Sequence, residues 1–301
     1  MTRSPALLLA ILICVFISAV PAKTNSVDES KSPSSSSYSG AKPQVELGFN
    51  LLYRLKFLEA RIQFTDWQQT NPGDPLGYVA IAASYLFEEL YDQHVLTSEF
   101  FLDNGRLLGG IQGKPDEDRK THFEAANQRG RDLALKRLRA DRHDADALFA
   151  LTVATGMQAD VAAILEKRQI ESLSLIKEAE GYAMQLLSVH PDEADALLSL
   201  GAANYIIGSL PAYKRFFLWF GRIHGDKRLG MEQLQITAEK GHYLKPFAEI
   251  FLALASMREK QEDVARNLLR DLAAQFPENP LFQVELARLE TPHAGSQKGR
   301  H

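Results

Sequence analysis

Apolar residues between positions 246 and 279 recur at helical spacing in two runs. Polar residues 258–262 separate the runs, and Pro277 ends the second because proline cannot continue a helix. Small residues, Ala253 and Ala265, lie where two such helices would touch. The stretch therefore predicts a helical hairpin. The apolar positions of its two helices are Phe247, Ile250, Phe251, Leu254 and Met257, then Val264, Ala265, Leu268, Leu269 and Leu272.

The same arrangement recurs along the chain. Leu47-Gly48 and Ala60 fill the corresponding places in a first unit, and a second unit opens at Pro75. Residues 144–148 (Asp-Ala-Asp-Ala-Leu) are echoed by residues 193–197 (Glu-Ala-Asp-Ala-Leu), so both segments are predicted to begin helices at equivalent places. The units are longest where aromatic insertions lie between their helices, at residues 90–118 and 210–222. Long inserts in compact domains are usually functional or self-packing.

Pro280 lies 34 residues after Pro246, with small residues at the eighth and twentieth places of that period and proline at the thirty-second. This spacing resembles the tetratricopeptide repeat. The resemblance implies an all-α superhelix of about five helical hairpins plus a C-terminal capping helix. Two runs, Leu96–Asp103 and Gly225–Leu234, are similar to an uncharacterised group of secreted bacterial tetratricopeptide proteins with long inter-helix insertions.

The N-terminus has the features of a secretion signal. Arg3 precedes an apolar run from Ala6 to Val20, and small Ala22 follows. We therefore predict a signal peptide at 1–22, a disordered Ser-rich linker at 23–43, a helical domain at 44–290 and a disordered tail at 291–301. The predicted location is periplasmic or extracellular. The alternative is a retained N-terminal membrane anchor, because the apolar run is only slightly shorter than a span.

Charge and motifs narrow the function. A net charge of −4 gives no basic footprint for nucleic acid. The eight histidines form no metal-binding motif, and the only cysteine, Cys14, lies in the apolar N-terminal run. The glycine-rich run 109–115 is not a phosphate loop, because Leu108 replaces its first glycine and Pro115 its hydroxyl residue. We expect no catalysis, no cofactor and no metal.

The inward positions of the first helices are almost wholly apolar, which predicts that the insertions cover them. The prediction is an exported scaffold that mediates protein–protein interactions in the cell envelope. The alternative is a carrier or sensor that holds a small apolar ligand between these helices and the insertions. Three roles stay open for Tyr213–Arg222: it packs into the protein's own groove, it contacts a partner protein, or it makes a peripheral membrane contact. Candidate contact residues are Phe49, Tyr53, Phe87, Phe149, Met157, Tyr205, Trp219 and Met257.

Overall fold

The computed structural model of the chain describes residues 42–210 and 225–290, which belong to one compact unit. These residues form helices, and no strand occurs among them. The helices are α1 (Pro43–Tyr53), α2 (Phe57–Thr70), α3 (Pro75–Asp92), α4 (Ser98–Leu102), α5 (Asn104–Gly109), α6 (Glu117–Ala140), α7 (Ala145–Asp160, extended by a π-helical turn at Val161–Leu165), α8 (Gln169–Val189), α9 (Ala196–Ser209), α10 (Lys227–Lys240), α11 (Lys245–Arg258), α12 (Glu262–Gln275) and α13 (Pro280–Glu290).

Five helical hairpins follow one another, as predicted. The pairs are α1 with α2, α3 with α6, α7 with α8, α9 with α10, and α11 with α12, and α13 packs on α12. The second helix of each hairpin also packs on the first helix of the next. No hairpin can bury its apolar face alone, so stacking produces a shared core. The fold is an all-α, tetratricopeptide-like superhelix.

Small residues lie where the helices of a hairpin approach, which confirms the sequence prediction. Ala60, Ala253 and Ala265 are fully buried. A side chain at Gly230 would clash with the backbone of α9, since an added Cβ would lie 2.6 Å from the Tyr205 nitrogen. Glycine is therefore required for this close helix crossing.

The first insertion contains α4 and α5 and then joins the π-helical turn at the end of α7. The Ile111 amide donates to the Ile164 carbonyl at 2.9 Å, and the Gln169 amide donates to the Leu108 carbonyl at 3.0 Å. Gly110 between them has a φ of +69°, and an added Cβ would lie 2.3 Å from the Ile164 oxygen. This position accepts only glycine for both reasons.

Three first helices end on a non-glycine residue in the left-handed conformation. Leu55, His94 and Lys260 have φ values of 61°, 57° and 60°. In each case the residue and its successor donate backbone hydrogen bonds to the last turn of the helix, as in a Schellman motif. These residues hold the turn at the cost of backbone strain that glycine would avoid.

The helical unit starts two residues before the predicted boundary at 44. Helix α1 begins at Pro43, and the Lys42 side chain is buried, with its ammonium 2.9 Å from an Asp74 carboxylate oxygen and 3.3 Å from one of Asp146. The predicted signal peptide, the linker up to residue 41, the segment Tyr213–Arg222 and the tail at 291–301 lie outside the described residues.

One described helix, Ala145–Leu165, is long and apolar enough to cross a membrane by length and composition. In its most apolar window 67% of the residues are buried inside the protein. This segment is α7 with its π-helical turn, which packs on α3, α6, α8 and α9. Its apolar character is accounted for by its place in the core.

Candidate functional site

The candidate site is the inner wall, which we define as the face of the first helices that carries Phe49, Phe87, Phe149, Tyr205 and Phe251. These residues come from α1, α3, α7, α9 and α11, one from each hairpin. Tyr205 and Phe251 contact each other with ring centroids 5.9 Å apart, whereas Phe49 and Phe149 belong to a separate buried cluster. All except Phe87 are buried, and Phe87 is partly buried.

Tyr243 joins the first and third hairpins at the inner wall. It lies in the turn between α10 and α11, and its ring is 5.4 Å from that of Phe49 and 6.1 Å from that of Phe149. Phe87 makes an edge contact with Phe247 at 5.6 Å. Sequence reasoning missed Tyr243 because it belongs to a turn and not to a helical stripe. The sequence offers one signal for Tyr243, which is a short turn between Gly241 and Pro246 that contains a large aromatic side chain.

The first insertion covers the wall at the fourth and fifth hairpins. The Phe101 ring is 5.4 Å from that of Phe251 and 6.5 Å from that of Tyr205. Arg258 fixes the insertion by donating to the Phe101 carbonyl at 2.9 Å. The expectation that this insertion packs on the apolar wall is confirmed.

The first and last hairpins also meet, which closes the wall at its other end. The Tyr53 hydroxyl donates to the Tyr243 carbonyl at 2.9 Å, and the Asn279 amide donates to the Tyr53 carbonyl at 2.9 Å. Glu278 accepts from Lys56 at 3.0 Å. Further along, Glu285 of α13 accepts from the Ser98 amide at 3.1 Å and from its hydroxyl. The C-terminal helix is thus tied to the loops that follow α1 and α3.

Little free volume remains where the insertion meets the wall. The space bounded by Phe101, Leu107, Tyr205 and Ile206 has a volume of about 10 Å³, enough for about one water molecule. A larger cleft of about 270 Å³ lies on the surface between the end of α3 and the start of α13. Its lining residues are Tyr91, Asp92, His94, Leu96, Thr97 and Leu281.

The structure brings some of the predicted contact residues together and separates others. Phe49, Phe149 and Met157 belong to one buried cluster, to which Tyr53 and Phe87 are peripheral, and Tyr205 belongs to a second cluster with Phe251. Met257 lies near the end of α11 and is partly buried outside these clusters. Trp219 lies outside the described residues. The role of all eight as contacts to a partner or ligand stays a prediction.

Buried charges link the hairpins at the N-terminal ends of the first helices. Lys42 pairs with Asp74 and Asp146 of the second and third hairpins. Asp195 is almost fully buried and accepts from the backbone amides of His242, Tyr243 and Leu244. Burial raises the pKa of Asp195, although these three amides act in the opposite direction. The charges serve to join one hairpin to another.

Glu193 lies beside this carboxylate. Burial, reinforced by repulsion from Asp195, raises the pKa of Glu193 to about 7. A carboxyl group with such a pKa changes its charge near neutral pH. Within 42–210 and 225–290, no group of three His, Cys, Asp or Glu side chains could hold a metal ion.

No family model matches the chain. No curated protein matches it either. Among solved structures, the chain is similar to a thermophilic TPR protein from Thermus thermophilus, with 14% identity and a TM-score of 0.45. The match covers 83% of this chain and 99% of that chain. The order and contacts of the five hairpins define the fold.

Proposed function

We propose that this chain is an exported, non-catalytic scaffold that binds another protein in the cell envelope. The stacked hairpins supply a rigid, extended surface of the kind that suits protein binding. The most deeply buried charged groups, Lys42 and Asp195, are engaged in contacts between hairpins. The apolar N-terminal run supports the export part of the proposal.

The observation that carries the proposal is the cleft between α3 and α13. Tyr91, Leu96 and Leu281 give it apolar sides, and it has the volume of one or two large side chains. The inner wall, in contrast, is filled by the protein's own aromatic rings. A partner that inserts an apolar side chain into the cleft would bury surface that is now open to water, and such anchors dominate protein interfaces.

Affinity capture from an envelope fraction, with quantitative mass spectrometry, tests the proposal. We expect the wild-type protein to enrich a specific partner and Leu281→Arg to lose it, because a charged side chain would occupy the cleft. Val284→Arg is the matched control, since Val284 lies on the same helix, is exposed and does not line the cleft. Equal capture by all three proteins would refute a role for the cleft.

The same preparation distinguishes the scaffold from the carrier. Mass spectrometry of organic extracts should find no stoichiometric small molecule in the purified protein. If a small apolar molecule co-purifies and no protein is enriched, the scaffold is the wrong function and a carrier is the right one.

A further inference from the structure

One helix carries cations that the rest of the protein does not neutralise. Most Lys and Arg side chains of the described residues lie within 4.0 Å of a carboxylate, as Arg131 does with Glu178 and Arg137 with Asp144. Four exposed cations on α6 and in the turn after it have no such carboxylate anywhere in 42–210 or 225–290. They are Arg129, Lys136, Arg139 and Arg142, which we call the basic face.

The basic face lies on the outside of the array. Helix α6 buries Phe123, Asn127, Gly130 and Ala134, which define its inner side. With 3.6 residues per turn, positions 129, 136 and 139 point away from that side. Arg142 follows in the turn after the helix. From Arg129 to Arg139 the row is about 15 Å long, because ten residues of helix separate them at about 1.5 Å each.

Helix C-termini attract cations, but that effect covers only part of the row. Lys136 lies before the last turn of α6, and Arg139 lies within it, where the helix dipole favours a cation. Arg129 lies three turns earlier, over the Tyr78 ring at 5.9 Å, and Arg142 lies past the end. From 129 to 142 the chain has six Lys and Arg but two acidic residues, Asp132 and Asp141, whereas the whole chain has a net charge of −4. The positive charge is therefore concentrated here against the overall sign.

We propose that the basic face binds a membrane surface that contains anionic lipid headgroups. The four cations are exposed and have no carboxylate partner in 42–210 or 225–290, and three of them line one side of α6, where no large apolar side chain is exposed as an anchor. A protein interface would need such an anchor, whereas lipid headgroups move laterally to meet separate cations. Each Lys or Arg near an anionic membrane contributes about 1 kcal/mol. The inference rests on the export proposed above, since it needs an envelope membrane within reach, but not on the identity of the protein partner.

Vesicle binding by the purified full chain tests this inference. The probes are vesicles of one-third phosphatidylglycerol in phosphatidylcholine, with pure phosphatidylcholine vesicles as the reference. Binding through Ala6–Val20 or Tyr213–Arg222 would be shared by every variant, so a difference between variants reports on the substituted cations. We expect R129S/K136S/R139S/R142S to lower the partition onto the anionic vesicles at least about tenfold. Raising the salt concentration should weaken wild-type binding in the same way.

The matched control changes the net charge equally at other places. K114S/K167S/K240S/K260S removes four exposed cations that also lack a carboxylate partner among the described residues. It should bind anionic vesicles about as the wild type does. An equal loss in both variants would overturn the proposal, since net charge alone would then act. Binding of the wild type to polyglutamate but not to vesicles would also overturn the proposal, because the basic face would then bind an acidic protein.

Affinity capture of the protein partner distinguishes a failure of this inference from a failure of the proposed function. The basic-face variant should retain the partner while it loses the vesicles. Circular dichroism should show the variant still folded at the assay temperature, with a slightly lower melting temperature, because the four side chains are exposed but three of them favour helix in α6. Vesicle binding that is unchanged in the basic-face variant would refute the inference and leave the scaffold proposal standing.

Discussion

Replacement of Asp195 tests how the fourth and fifth hairpins are joined. Its Oδ1 accepts from the amides of His242 at 2.9 Å and Leu244 at 3.2 Å, and its Oδ2 accepts from that of Tyr243 at 2.8 Å. In Asp195→Ala, all three amides at the start of α11 lose their acceptor. A buried unsatisfied donor costs about 1–3 kcal/mol.

Two effects reduce the sum of these costs. Water can enter the space left by the carboxylate, and burial of the charge, which raises the pKa of Asp195, is itself unfavourable in the native protein. Three such donors would together cost about 3–9 kcal/mol. We therefore expect Asp195→Ala to lower the free energy of unfolding by about 3 kcal/mol, the low end of that summed range. Asp195→Asn keeps Oδ1 with its two donors and loses the third bond, so its cost should be about 1.5 kcal/mol.

Urea unfolding followed by circular dichroism at neutral pH measures both variants. Asp263→Ala is the control, because the Asp263 side chain is 94% exposed and such a change usually alters stability by less than about 0.5 kcal/mol. A loss below about 1 kcal/mol for Asp195→Ala would refute the idea that these bonds hold the hairpins together. Equal losses for the Ala and Asn variants would show that the charge matters and the individual bonds do not.

Four further substitutions test the packing, the turns and the titration. Gly230→Ala should lower the free energy of unfolding by about 2 kcal/mol, because the new Cβ clashes with the backbone. Gly156→Ala should raise it by about 0.5–1 kcal/mol, because no atom lies within 4 Å of the new Cβ. Urea unfolding measures both changes. Lys260→Gly should raise the free energy of unfolding by about 0.5 kcal/mol, and with it the melting temperature, because glycine adopts a φ of 60° without strain. An unchanged or lower melting temperature would contradict this prediction. Glu193 has a folded-state pKa of about 7, above that of the unfolded chain, so the stability it contributes is present at acidic pH and lost as pH rises towards 7. Glu193→Gln should therefore gain relative to wild type between pH 5 and pH 8, and a constant difference would refute the shift.

The hairpin architecture was predictable because its signals are local. Helical spacing of apolar residues, prolines at helix ends and small residues at crossing points act within one repeat, and stacking then follows from the apolar faces. Thus Ala253 and Ala265 predicted the closest approach of two helices, and both are fully buried. The first insertion was predicted to cover the wall because the inward positions of the first helices are almost wholly apolar, and Phe101 does so.

The contents of the candidate site were less predictable. The apolar positions of α11 turn to different neighbours. Phe247 and Phe251 make the aromatic contacts with the second hairpin and the insertion, and Ile250 packs towards Phe276 and Phe282. A helix with apolar residues on two sides does not reveal from its sequence which side meets which neighbour. The closure between Tyr53 and Asn279 joins residues far apart in sequence, so no local pattern announces it.

The segments at residues 144–148 and 193–197 separate what the sequence determines from what the tertiary structure decides. The sequence by itself determined that an Asp directly precedes each of α7 and α9, because an acidic residue before an apolar helix is a local signal, although α9 begins two places later in its segment than α7 does. Asp144 does cap its own helix through the Ala147 amide, but Asp195 binds the turn before α11 instead. Only tertiary structure decided this difference. A carboxylate satisfies whichever amides packing brings within reach, and the fifth hairpin places three amides at Asp195.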